Sequence, residues 1–156
     1  MRISTILLFF TIVKITVAQQ VLDTSTYAFP IGSHFILQII EVKKELKYTV
    51  LKLDTMYRDL DYANSDSLFE KIPTTNTIEC FFSKGIDQDG PFKTVLLIRN
   101  NTKFFLEYKA LISYEYHEGF YDTSVMDLFP GVKSSELWNA NLNAIVLHKF
   151  KKKKKK

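Results

Sequence analysis

Thr77–Arg99 reads TIECFFSKGIDQDGPFKTVLLIR, and this stretch decides the fold. Thr77–Ser83 (TIECFFS) and Phe92–Arg99 (FKTVLLIR) are short runs of β-branched, aromatic and aliphatic residues, the composition of strands. Between them Gly85–Pro91 (GIDQDGP) has the composition of a hairpin turn. Working outward, Tyr48–Asp54 (YTVLKLD) reads as a half-buried strand with Thr49, Leu51 and Leu53 on one face. Residues 59–76 are rich in Asp, Asn, Ser and Thr and read as loop. Beyond the Asn100–Asn101 turn, Lys103–Tyr108 and Ala110–Tyr116 are two extended stretches or one long strand. Ala110, Ile112, Tyr114 and Tyr116 share one of its faces. Residues 121–128 and 142–148 read as further short strands. Ser33–Lys44 (SHFILQIIEVKK) differs: Phe35, Ile36, Ile39 and Ile40 fall on one helical face and Ser33 suits a cap, although its β-branched content also suits a strand. The expected fold is therefore mainly β. It is an up-and-down antiparallel β-barrel with a short N-terminal helix, closed so that no edge is exposed, with an interior that holds one small ligand.

Both ends of the chain change its electrostatics. Residues 1–18 (MRISTILLFFTIVKITVA) have a positive start at Arg2, an apolar run over Ile6–Val13 and small residues at Thr16 and Ala18. This is the pattern of a secretory signal peptide, and the run is shorter than the roughly 20 residues that span a bilayer. Export places the protein outside the cell. Residues 151–156 are all lysine. Such a run is either a basic tail for anionic partners or a translated poly(A) tract, since AAA codes for lysine. The second reading is favoured, and it would leave the barrel incomplete at its C-terminus. The full chain carries 21 basic and 17 acidic residues. Without the signal segment and the lysine run, residues 19–150 carry 13 basic and 17 acidic residues, a net of −4. The overall basicity is thus no argument for nucleic acid. Neither nucleic acid nor a membrane is expected as a partner. The 132 residues from 19 to 150 suit one domain with a real core, expected as a monomer.

Enzyme chemistry is not indicated. His34, His117 and His148 have no metal-ligand spacing, and there is no nucleophile elbow or phosphate loop. No catalytic residue, metal or cofactor is expected. Secreted proteins usually pair their cysteines, so the single Cys80 is a disulfide candidate lacking its partner, or a free thiol. Asn100-Asn101-Thr102 is a sequon and makes Asn100 a candidate glycosylation site. Binding chemistry is better represented. Glu107 lies among Phe104, Phe105, Leu106 and Tyr108, Glu115 lies between Tyr114 and Tyr116, and Glu136 precedes Leu137 and Trp138, the only tryptophan. A carboxylate in apolar surroundings is costly unless paired, and a ligand ammonium would pair it while aromatic faces add cation–π attraction. Glu107, Tyr114, Tyr116, Glu136 and Trp138 are the candidate ligand-binding residues.

Four stretches carry a family resemblance: FILQIIEVKKELKYTVLKLDTMYRD (35–59), IECFFSKGIDQD (78–89), GFYDTSVM (119–126) and ELWNANLNAIVL (136–147). Together they resemble the salivary lipocalins of ticks, the histamine-binding group. The last stretch matches either the family's Glu-Leu-Trp/Tyr element or its later Val-Leu strand, and not both. The family normally carries two or more disulfides, whereas here Glu136-Leu137-Trp138 stands without flanking cysteines. The resemblance implies a lipocalin-like barrel over residues 19–150. It also implies non-catalytic sequestration of biogenic amines such as histamine and serotonin, or of lipid mediators. The alternative is a secreted β-sandwich interaction protein or antigen without a small-ligand cavity. A solid core between two open sheets is the observation that favours the alternative.

Overall fold

The computed structural model describes residues 27–61, 65–86 and 93–153. The signal segment, most of the turn expected after Gly85 and Lys154–Lys156 lie outside these residues. Ten strands run along the chain: β1 (Ala28–Pro30), β2 (Ser33–Val42), β3 (Glu45–Thr55), β4 (Leu60–Asp61), β5 (Thr77–Ile86), β6 (Lys93–Asn100), β7 (Leu106–Tyr114), β8 (Tyr121–Thr123), β9 (Lys133–Trp138) and β10 (Leu142–Lys152). Among the described residues the only helical piece is the 3-10 turn Ser65–Leu68. One sheet has the order β3-β2-β5-β6-β9, with β4 added in parallel to the end of β5; the other has the order β1-β10-β7-β8. Every other pairing is antiparallel.

The expected N-terminal helix is a strand. In β2 the side chains of Phe35, Leu37 and Ile39 join the core between the sheets, while Ile36 is buried on the opposite face. A strand covered on both faces over much of its length reads as a near-continuous apolar run, within which Phe35, Ile36, Ile39 and Ile40 mimic a helical stripe. The β-branched residues and the pairing of β2 with both β3 and β5 make it a strand. Strand β3 corrects a second detail. Tyr48 and Val50 pack on the core, and a bulge at the Ile36/Leu37 step leaves Leu51 about half exposed.

The closed barrel is not formed. No backbone ladder joins the two sheets among the described residues, and the facing edges are held by side chains. On one side the Tyr27 N–H donates to the Tyr48 hydroxyl at 3.4 Å, and Lys152 meets Glu41 at 2.5 Å. On the other side the Trp138 indole N–H donates to Thr123 Oγ1 at 2.9 Å, and the Met126 N–H donates to Glu136 at 2.6 Å. The two sheets face each other across an apolar core. Phe29 stacks on Phe35 with centroids 3.7 Å apart, and Tyr108 stacks on Phe150 at 5.6 Å. Leu96, Ile98, Ile112, Ile145 and Leu147 fill the remainder. Fully burying each of these side chains contributes roughly 1.5–3 kcal/mol.

Gly32 in the turn between β1 and β2 has φ +79. Its carbonyl accepts from Met56 N–H, and a Cβ there would sit 2.9 Å from the Met56 carbonyl oxygen. Only glycine fits this close approach.

Cys80 sits on the inner face of β5, fully buried and unpaired. The chain has no second cysteine, so no disulfide forms within it. Burial, helped by the Glu79 charge, pushes the thiol well above its ordinary value. The folded protein is expected to leave a disulfide reagent unreacted at pH 8, with one equivalent released on addition of guanidinium. Stoichiometric reaction before unfolding would contradict this placement.

Candidate functional site

Glu136, Trp138 and Tyr114 lie around the joint between β8 and β9. On β9 the alternation places Ser134, Glu136 and Trp138 toward the other sheet. The Glu136 carboxylate is buried and accepts from the Met126 N–H. The Tyr108 hydroxyl faces it without the alignment of a full hydrogen bond. Burial raises the Glu136 carboxyl above the usual range, against a smaller downward pull from the Met126 N–H and the facing Tyr108 hydroxyl. The Tyr108 phenol is pushed well above its ordinary value by burial first and by the Glu136 charge second. Trp138 reaches Thr123, two residues along β8 from Tyr121, and Tyr121 meets Tyr114 edge-on at 5.6 Å. A carboxylate and three aromatic rings thus border one seam.

The remaining expected site residues fall elsewhere. Glu107 is exposed on the outer face of β7, opposite Lys151 of β10. Tyr116 lies beyond the end of β7 and is 83% exposed. Asn100 is fully buried: its amide nitrogen donates to the Phe104 and Leu128 carbonyls, and its oxygen accepts from Thr102 N–H. Asn100 thereby fastens the turn after β6 to the segment before β9. A folded Asn100 has its amide enclosed and both hydrogens in use.

A second polar cluster, which sequence reading did not single out, lies on the outer face of the larger sheet. Glu79 of β5 is buried and holds Arg99 of β6 at 2.5 Å. His34 of β2 approaches it at 3.3 Å. Arg99 also donates to the Glu70 carbonyl, and the Glu70 N–H donates back to Glu79. The guanidinium lies over Phe69 at 5.0 Å, while His34 stacks on Phe81 at 4.1 Å. Burial raises the Glu79 carboxyl, yet His34, the Glu70 N–H and Arg99 together outweigh it, and the net direction is down. The signal was present in the alternation of TIECFFS, where Glu79 and Phe81 share the face opposite Cys80. The strand pattern alone does not say what covers that face. It is covered by Leu60, Leu68 and Phe69 from the stretch read as loop. Beside the cluster, His34, Asp54, Met56, Tyr57, Arg58 and Phe81 line a wide cleft of about 430 Å³.

Among the described residues no group of three or more metal-ligating side chains converges, and no helix is long and apolar enough to cross a membrane. No family model, curated protein or solved structure matches this chain.

Two outcomes test these clusters. Removing one partner of a buried ion pair costs about 3–5 kcal/mol, because the other charge stays buried and unpaired. Arg99→Met is expected to lower stability by about that amount, and Glu79→Leu/Arg99→Met to recover most of it, in urea denaturation. A double variant as unstable as the single one would contradict this. The two carboxyls also give opposite pH dependences. Glu136 holds its proton more tightly folded than unfolded, so its contribution is complete below the ordinary value of 4.5 and lost as pH rises through the raised value. Glu79 has a lowered value, so its contribution is present above 4.5 and lost as pH falls below it. Glu136→Gln should therefore flatten the stability curve above pH 4.5 and leave the acid limb unchanged.

Proposed function

We propose that this chain is an extracellular, non-catalytic binding protein that acts through its surface, as a β-sandwich interaction protein. One observation carries this reading: among the described residues the inner faces of the two sheets pack on each other through one continuous apolar cluster. Tyr108 packs on Phe150 there, and the Glu136 carboxylate is taken up by the Met126 N–H. Tyr57, Tyr116, Phe120 and Tyr121 are left exposed to various degrees. Aromatic side chains on the surface supply contact area at low entropic cost. Export rests on the pattern of residues 1–18.

A second reading is favoured by the seam at β8 and β9. There no backbone ladder joins the sheets among the described residues, and a buried carboxylate stands near Tyr114, Tyr121 and Trp138. If this seam opens, it presents an acid and aromatic faces to an amine, or an apolar slot to a lipid. That is the sequestering activity implied by the resemblance to tick lipocalins.

Calorimetric titration of the chain from Gln19 with histamine, serotonin and a fatty acid separates the two. The surface reading expects no saturable heat with any of them. Saturable heat that Glu136→Gln weakens at least about tenfold would replace it with the amine reading, and heat with the fatty acid alone with the lipid reading.

A further inference from the structure

One end of the sandwich gathers lysines that the net charge conceals. Val42 and Glu45 pair across a two-residue hairpin turn made of Lys43 and Lys44. Such turns need positive φ at both positions and favour Asn-Gly. Here two lysines adopt it, with φ 50 and φ 72. Lys149, at the bulge of β10, has φ 54. Of the four non-glycine residues described with positive φ, three are thus lysines in β2–β3 and β10. A left-handed conformation costs a residue with a Cβ stability, so lysine stands at these positions against the local preference.

Packing brings these elements to one end. Lys152 bridges from β10 to Glu41 beside the hairpin turn and lies 4.0 Å over the Phe104 ring, which Lys103 also approaches at 5.5 Å. Lys153 pairs with Asp127 and lies 5.7 Å over Phe105, which stacks on Phe129. Lys149 and Lys109 add to burial in lowering the His148 imidazole, against an opposing pull from Asp122. Lys151–Lys153 serve here as the basic tail for an anionic partner, the other reading of the terminal lysine run. The same end exposes apolar side chains: Ile40 and Val42 on the hairpin are 42% and 40% exposed, and Phe129 is 55% exposed.

We propose that this end docks on an anionic phospholipid bilayer, with the lysines of the hairpin turn and of β10 against the headgroups and Val42 and Phe129 in the interface. Lysine stems bury against apolar surface while their ammonium groups stay in the polar layer, which suits this interleaving. A purely ionic polymer would match the charges and leave the apolar side chains unused. Because positive charge is concentrated at one end, a body of net −4 does not prevent docking.

The test is cosedimentation of the chain from Gln19, which contains every described residue, with vesicles of phosphatidylcholine alone or with about one-third phosphatidylserine. Binding is expected only to the anionic vesicles and is lost in about 0.5 M salt. Lys43→Asn/Lys44→Gly is the decisive variant, since it gives the turn its preferred residues while removing two charges. It should melt at the same or a higher temperature and bind the anionic vesicles at least about tenfold more weakly. Val42→Ser should weaken binding without changing its salt dependence. The proposal is overturned by equal binding to both vesicle types, by binding to neither, by retention on a sulfated polysaccharide with no vesicle binding, or by full binding of the Asn-Gly variant.

Discussion

Two sheets with no backbone ladder between them have to be joined by what lies inside. The apolar contact between the inner faces supplies that joint, and the rest of this structure depends on it. Phe29 of the smaller sheet stacks on Phe35 of the larger, and Tyr108 and Phe150 close the layer toward Tyr48. Close packing of this kind leaves little tolerance for voids. It also encloses the lone cysteine: Cys80 serves as a small apolar side chain on the central strand β5.

The polar groups inside the fold work at its margins. Glu136 and Trp138 fasten β9 to β8 and to the segment after it, where no ladder is described. Glu79 and Arg99 fasten the segment around Phe69 onto the outer face of the larger sheet. In both places a buried carboxylate accepts from a backbone N–H, which satisfies a donor in an irregular segment as well as the acid itself. The environments nevertheless push the two acids in opposite directions, because Glu79 has a guanidinium beside it and Glu136 has none among its described contacts.

The strands with a clear apolar pattern were legible. Thr77–Ser83 and Phe92–Arg99 became paired neighbours in register across Cys80 and Ile98. Ala110, Ile112 and Tyr114 do share a face, since β7 borders the core on one side only. Strand β9 was not legible. KSSELW places Ser134, Glu136 and Trp138 inward, and a strand whose inner face is mostly polar leaves no alternation to read. Of the five candidate binding residues, Glu136, Trp138 and Tyr114 gather at one seam, whereas Glu107 and Tyr116 do not. Local aromatic surroundings identified all five alike, but a neighbour in sequence lies on the opposite face of a strand.

The sequence by itself determined a mainly β chain of short antiparallel strands, because side-chain alternation and turn composition are local properties. Only the tertiary structure decided that these strands form two facing sheets and not a closed barrel, that SHFILQIIEV is an interior strand, and that Asn100 is enclosed. Those outcomes depend on which edge meets which and on what covers each face. Both are set by contacts between residues far apart in the chain, such as Phe29 with Phe35 across the sheets, Glu79 with Arg99 across strands and Trp138 with Thr123 across the seam.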